Sequence, residues 1–403
     1  MSSYISSITA SESAILFLLS NVLFAYPLLD TSSVDWADVY ELGRRHAVVP
    51  LLYPAMKRIT TVPKDVLSCV RKSAFYSTEL SEHMLRSHQE IVKLMESQQI
   101  PCAILKGMSV ARFYPHPALR QPGDIDLLVN HEDLQDACSA MESAGYEFSH
   151  NTDKHYCYHK GDISVEIHHM VSEFPDTEKG DFARTFMSTA LNDTQQVKIN
   201  GVTFPVLSGA HQLTSLLAHM EHHLASTGIG LRQFCDWAVT VNALRDQIGS
   251  AEFAILDQCG LLEFARVSTK LCEKYLGLPP FDWSESASDE LVDALMCDLL
   301  ESGNFHAQAE VRPFVSTMTD AYNTDDSKNH SVVHNYFKYV RSRIHTEHPK
   351  MQSPLWFGVF AVFYPARWTM RMLLGKRKKF DLKQSIQSAK KREELLQGLK
   401  LYK

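Results

Sequence analysis

The chain has no internal repeat, no low-complexity segment, no C-x-x-C pair and no uninterrupted apolar run of membrane-spanning length. The absence of low complexity, with 45% hydrophobic and 22% charged residues, excludes a mainly disordered chain, a collagen and a coiled-coil rod. The eight cysteines (69, 102, 138, 157, 235, 259, 272 and 297) are scattered, as expected of small core residues in a reducing compartment. No basic residue precedes Arg44, so the start shows neither the positive n-region of a signal peptide nor an Arg-rich transit peptide. Ser13 to Leu29 is uncharged, but Ser20, Asn21 and Pro27 interrupt it, and it is short for a span of ~20 residues. A buried N-terminal helix and a cytoplasmic protein are expected.

What is present is ordinary in amount and uneven in placement. The 403 residues suggest two or three domains at roughly 150 residues each. The formal charge is −7, yet Ala366 to Lys403 carries twelve basic and three acidic residues, a net of +9 that leaves −16 on the first 365. An acidic body disfavours nucleic acid as a partner, while a basic tail suggests an interaction arm. Leu355 to Tyr364 is strongly apolar and aromatic, and Trp368, Met370, Met372 and Leu373 follow, interleaved with Arg367 and Arg371. Lys376-Arg377-Lys378-Lys379 comes next. The segment 354–379 reads either as a core helix with a solvated tail or as a peripheral contact with an anionic membrane or a partner protein.

Residues 1–98 read as helical: Ser11 and Ser13 can cap a first helix, Trp36, Val39, Leu42 and Ala47 keep the period, and a long helix is predicted around Leu80 to Ser97. Residues 101–207 form an α/β island. Strands are predicted at 102–105, 124–129, 146–149, 155–159 and 163–168, with a turn at Lys160-Gly161-Asp162. A helix over 132–144 should stop at Gly145. Asn200-Gly201 between two β-like runs predicts a hairpin, because Asn-Gly suits the positive φ of a type I′ turn. Helices are predicted at 209–225, 231–247, 251–276, 287–302, 332–345, 354–374 and 382–398, with a loop-rich stretch at 303–331.

Asp124 and Asp126 are one residue apart, so in a strand both carboxylates point to one face while Ile125 and Leu127 enter the core. The alternation recurs in 163–168: Ile163, Val165 and Ile167 share one face, and Ser164, Glu166 and His168 share the other. If the strands are neighbours, Asp124, Asp126 and Glu166 converge. Three unpaired carboxylates repel, and a divalent cation relieves that conflict. The competing reading is a pair of solvated aspartates on an edge strand.

Leu105-Lys106-Gly107, Tyr114-Pro115, Arg120-x-x-x-Asp124-Ile125-Asp126-Leu127-Leu128-Val129, Gly145-Tyr146 and Val165-Glu166-Ile167-His168 together resemble a bacterial nucleotidyltransferase family of the DNA polymerase β-type superfamily. The resemblance is dense over 100–170 and looser through His219, His223, Leu231-Arg232-Gln233 and Asp236. It implies an α+β fold: a polymerase β-like α/β core with a mixed sheet, flanked by an N-terminal helical segment and a C-terminal helical domain. The implied boundaries are 1–98, 99–207, 208–350 and 351–403. It implies transfer of a nucleoside monophosphate from an NTP to a hydroxyl acceptor, with release of pyrophosphate. Asp124, Asp126 and Glu166 would be catalytic and would hold Mg²⁺ or Mn²⁺. Lys106, Gly107 and Ser109 lie on the turn whose helix N-terminus would receive the triphosphate. Arg120, His219, His223 and Arg232 are further candidates for nucleotide binding, and His168 and Asp236 for support behind them.

The chain departs from the superfamily pattern by placing Met108 where Gly or Ser usually follows the first Gly, and by a longer gap from Gly107 to Asp124. Lys106 or Arg120 would then supply charge to the phosphates. Arg120 could instead pair with an aspartate, Arg232 could pair with Asp236 four residues on, and His219 and His223 could be core histidines. His219 and His223 share a helix face, but without an H-E-x-x-H pattern or a third ligand they make a poor zinc site. The acceptor (small molecule, sugar or lipid intermediate, or protein) is not selected by any residue. A non-catalytic nucleotide-binding or scaffold protein that keeps the fold is the alternative.

Overall fold

The computed structural model describes residues 8–27, 34–226, 228–303, 340, 344, 354–373 and 382–403. Four helices come first: α1 (Ala10–Phe24), α2 (Trp36–Arg45), α3 (Val49–Met56) and α4 (Lys64–Ser97). Thr9 caps α1 with a capping box closed by Glu12, and Asp35 caps α2. The long helix α4 starts at Lys64, well before the Leu80 expected from the sequence. Its early turns bury Val70, Ala74, Ser77 and Ser81, so small residues carry the packing stripe there and the apolar period is faint.

The α/β island folds into one seven-stranded sheet: β1 (Cys102–Ile104), β2 (Ile125–Val129), β3 (Glu147–Asn151), β4 (His155–Lys160), β5 (Ile163–His168), β6 (Thr194–Ile199) and β7 (Val202–Leu207). The order is β3-β4-β5-β2-β1-β7-β6. β2 runs parallel to β5, β1 runs parallel to β7, and the remaining pairs are antiparallel, so the sheet is mixed and the fold is α+β. The β6–β7 hairpin turns at Asn200 (φ 46°) and Gly201 (φ 88°), the positive angles its sequence demands. Three short helices intervene: α5 (Met108–Ala111), α6 (Leu134–Ser143) and α7 (Glu178–Met187).

Strand alternation divides the sheet's side chains between two cores. Ile125, Leu127 and Val129 of β2, with Ile163, Val165 and Ile167 of β5, pack under Leu85, Ile91, Val92 and Met95 of α4 and Ala137 and Met141 of α6. Leu128 turns the other way, toward a larger helical core that also holds residues of α1 and α3. That core is built further by α8 (Gly209–Ala225), α9 (Leu231–Ala243), α10 (Ser250–Gln258), α11 (Leu262–Leu276) and α12 (Asp289–Ser302). The single helix expected over 251–276 is two helices, α10 and α11, because the chain turns at Gly260 with φ +68°. The helix expected to reach 247 ends at Ala243 and tightens into a 3₁₀ turn at Arg245–Gln247. The expected loop-rich stretch 303–331 and the helix 332–345 lie outside the described residues, apart from Gly303 and helical positions at Val340 and Ile344.

Two C-terminal helices follow, α13 (Pro354–Leu373) and α14 (Leu382–Gly398). Leu395, Leu396, Leu399, Leu401 and Tyr402 enter the helical core. Arg392 bonds both Asp298 of α12 and the Leu224 carbonyl at the end of α8. Tyr402 donates its backbone N–H to the Gly260 carbonyl at 2.9 Å and its hydroxyl to buried Glu221 of α8. A Cβ on Gly260 would meet the Tyr402 Cα at 2.5 Å, in a backbone conformation unfavourable to any L side chain. Gly260→Ala should therefore lower stability by more than about 1 kcal/mol and release the C-terminus. Urea melts and proteolysis from the C-terminal end measure both, and an unchanged midpoint with an uncut tail would show that the contact is dispensable.

Candidate active site

The parallel pairing of β2 and β5 places Asp126 directly opposite Glu166, and Leu128 opposite His168. Asp124, just before β2, shares the face of Asp126 and is exposed. The three carboxylates expected from the sequence thus converge on one face of the sheet, at its central strands. Asp126 is buried at 7% exposure, and its charge is met from two sides. The Lys106 Nζ lies 2.8 Å from Asp126 Oδ1. The Nε2 of His168 lies 3.0 Å from the same oxygen and 3.1 Å from Glu166 Oε2.

These contacts set the protonation states. Burial pushes the Asp126 carboxyl up, but the Lys106 charge and the His168 hydrogen bond outweigh it and hold the group well below the usual carboxylate range. Glu166 follows the same logic, with burial opposed chiefly by its bond to His168, and is lowered. Burial works against the imidazolium of His168, yet the two carboxylates raise its pKa on balance. Of the three acids Asp124 is the one raised, by burial and by the charges of Glu166 and Asp126. Lys106 and His168 answer Asp126 and Glu166, but among the described residues no cation pairs with Asp124, which leaves the cluster short of positive charge. The residues therefore suit a divalent cation on grounds of charge and of hard oxygen donors.

A cavity of about 420 Å³ opens between this face of the sheet and helices α8 and α9, within the ordinary size of a small-ligand site. Its wall on the sheet side carries Lys106, Gly107, Asp124, Asp126, His155, Glu166 and His168. Its helical wall carries Leu216, His219, His222, His223, Arg232, Gln233 and Asp236, and Lys154 closes one side. His219 Nδ1 lies 3.3 Å from Lys106 Nζ, and its ring packs edge-on against His223 with centroids 4.4 Å apart. His222 Nε2 lies 3.4 Å from Lys154 Nζ. Burial, with nearby Lys106 and Lys154, keeps all three imidazoles neutral: His222 falls to about 4, His223 to about 3 and His219 well below the ordinary value.

Several expected placements need correction. Ser109 lies apart from the phosphate-facing wall: its hydroxyl donates to the Leu105 carbonyl at 2.9 Å and the residue is fully buried. The helix N-terminus expected to cradle phosphate is the four-residue α5, and the N–H groups of Ser109, Val110 and Ala111 are already bonded to Lys106 and Gly107 carbonyls. Asp236 pairs with Arg120 and leaves Arg232, its neighbour one helical turn away, without it. Arg120 Nε and Nη2 grip the two Asp236 oxygens at 2.7 and 2.8 Å, and Tyr114 Oη adds a third bond at 2.7 Å. Arg120 lines the cavity with its guanidinium already engaged. Arg232 donates only weakly, to the Gln121 carbonyl at 3.4 Å, and among the described residues no carboxylate lies within ion-pair distance of it. His169 turns away from the acids, toward His131.

His155 and Lys154 were not singled out in the sequence. Counting back from the Gly161 turn would have found them, since the antiparallel β4–β5 register sets His155 opposite His168 and Cys157 opposite Glu166.

The Arg120–Asp236–Tyr114 cluster ties the loop before β2 to α9 across a buried interface. Asp236→Asn leaves a buried guanidinium without its counter-charge, and such a loss costs roughly 3–5 kcal/mol. A chemical-denaturation midpoint indistinguishable from wild type would contradict this account of the interface.

No curated protein matches the chain. A family model described as an uncharacterised nucleotidyltransferase matches residues 32–277, more than half of the chain, from before α2 to the end of α11. The chain belongs to this family of uncharacterised nucleotidyltransferases.

Proposed function

We propose that the protein is a metal-dependent nucleotidyltransferase that moves a nucleoside monophosphate from an NTP to a hydroxyl acceptor. The observation that carries this reading is the meeting of both signs of charge in one cavity. Asp124, Asp126 and Glu166 stand on one wall, and Lys106, Lys154 and Arg232 stand around it. A triphosphate needs cations near its oxygens and acids that recruit more cations, and the cavity offers both. Bound divalent ions would neutralise phosphate charge and acidify the acceptor hydroxyl. The rest falls to the chain's own groups. Arg232, free of any carboxylate among the described residues, binds a phosphate oxygen through its fork. Lys106 balances Asp126 in the resting site and is placed to meet a phosphate once Asp126 finds another cation. The acceptor oxygen attacks the α-phosphorus in line, the bond to the α–β bridging oxygen breaks, and pyrophosphate leaves with that electron pair. The acceptor's proton passes to Glu166 or Asp126, whose charges His168 steadies through Nε2.

The acidic body argues against a nucleic-acid acceptor. Purified protein incubated with each α-³²P-labelled NTP, Mg²⁺ or Mn²⁺, and a lysate from its source should label an acceptor. Asp126→Asn should remove the labelling while circular dichroism stays native, because it removes a ligand charge without changing volume. Full labelling by that variant would refute the carboxylate role. The alternative is a non-catalytic nucleotide-binding or scaffold protein that keeps the fold. Mg²⁺-dependent stabilisation by NTP with no pyrophosphate release in the presence of lysate would point there.

We further propose that α13 docks on an anionic membrane surface. Trp356, Val359, Phe363 and Met370 are exposed and fall on one arc of the helix, and the basic run Lys376–Lys379 follows in the sequence. Among the described residues no helix is long and apolar enough to cross a membrane. Truncation is a poor test, because Leu395 to Tyr402 belong to the core. Full-length protein should co-sediment with phosphatidylserine-rich vesicles more than with neutral ones, and the pair Trp356→Glu, Phe363→Glu should lose the difference. Equal sedimentation of variant and wild type would end the idea.

A further inference from the structure

β4 and β5 bring two histidines to the third carboxylate. His155 stands opposite His168 in the ladder, and Glu166 shares their face. His168 Nε2 lies 3.1 Å from Glu166 Oε2, and His155 Nε2 lies 3.8 Å from Glu166 Oε1. The two rings are 4.8 Å apart, centroid to centroid. One donor atom from each of the three residues falls within 4.8 Å of the others, a spacing at which a single ion can touch all three. All three line the cavity, so a hydrated ion can reach them. Asp126 Oδ1, 3.0 Å from His168 Nε2 and 2.8 Å from Lys106 Nζ, becomes a fourth donor where an ion takes the place of those two contacts.

We propose that His155, Glu166 and His168, completed by Asp126, form a site for a borderline divalent transition metal of the Zn²⁺ class. Mg²⁺ favours a near-ideal octahedron of oxygens, often water, whereas imidazole nitrogens suit transition metals. A set of two nitrogens and two carboxylates therefore selects against Mg²⁺. The inference rests on the metal-dependent reading above and shares Glu166 and Asp126 with it, but Asp124 has no part in this site and His155 none in that reading, so variants at these two positions tell the failures apart. The Nδ1 atoms of His155 and His168 are buried with no hydrogen-bond partner. Ligating histidines usually have that second nitrogen fixed, and its loss weakens binding roughly 10–100-fold. The ion is accordingly exchangeable, and the fold does not depend on it.

The test is a titration of metal-stripped full-length protein with Co²⁺, read by visible ligand-field absorption. Wild type and Asp124→Asn should both develop a saturable band at one ion per chain. His155→Gln, a change at the half-buried start of β4, should lose it, and His168→Gln is the second variant. Zn²⁺ should bleach the band at concentrations where Mg²⁺ does not. An unaltered band in His155→Gln with a native melting curve would overturn the site, as would bleaching by Mg²⁺ as readily as by Zn²⁺. A band lost in Asp124→Asn but kept in His155→Gln would place the ion on the oxygen ligands and overturn it equally. Loss of labelling in Asp124→Asn with the cobalt band intact would support both readings at once.

Discussion

Asp126 is a carboxylate in a place where carboxylates are expensive. It sits on a central strand, between the sheet and the helical core, with 7% of its surface exposed. An isolated charge there would neutralise itself by taking up a proton. Lys106, 2.8 Å away, and His168, 3.0 Å away, keep it ionised. Each of these partners has its place because of a backbone feature. Lys106 follows β1, which pairs antiparallel with β2, and His168 ends β5, which runs parallel to β2. A slip of one residue in the β2–β5 register would exchange every core residue of a strand for its acids. Burial of Ile125, Leu127, Val165 and Ile167 therefore holds the charged constellation in alignment.

The opposite wall of the cavity is held just as firmly, by different means. Helix α8, which carries the histidines, is fixed at its end by Arg392 on the Leu224 carbonyl and by Tyr402 on Glu221. Helix α9 is fixed by the grip of Arg120 on Asp236. A buried pair of this sort contributes less to stability than its geometry suggests, because desolvation offsets the attraction. Its value lies in orientation. With Asp236 occupied by Arg120, Arg232 is left with no acid among the described residues and faces the cavity. The ion pair thereby leaves a cation on the cavity wall.

Local pattern made much of this legible. Alternation in Asp124–Val129 and Ile163–His168 foretold which side chains share a face, and Asn200-Gly201 foretold the hairpin. The convergence of Asp124, Asp126 and Glu166 needed only the added condition that the strands be neighbours. Partner choice was less visible. Arg232 lies one helical turn from Asp236, so helix periodicity favoured that pair, while the bond formed joins Arg120 to Asp236 across 116 residues. Nothing within a helix encodes such a contact. Ser109 misled for a related reason: a Gly-containing turn before a helix resembles a phosphate cradle, but α5 has only four residues, and its N–H groups close on the turn itself. At Gly260 the positive φ breaks the helix, and the contact that leaves no room for a side chain there, the backbone of Tyr402, comes 142 residues later.

The site as a whole is electrostatically unfinished, and the excess has a direction. Asp124 is pushed toward protonation by Glu166 and Asp126, while those two are held ionised by His168 and Lys106. Acid–acid repulsion is therefore concentrated at the exposed end of the cluster, where the cavity opens. On the helical side the imidazoles of His219, His222 and His223 are kept uncharged by burial and by Lys106 and Lys154, so they add polarity without adding positive charge. An arriving cation meets acids with only one lysine in contact, and an arriving anion meets Lys154 and Arg232. A ligand that brings both signs together gains on both walls, which neither a free metal ion nor a free phosphate can do. That asymmetry is the physical reason to expect the metal and the nucleotide to bind cooperatively.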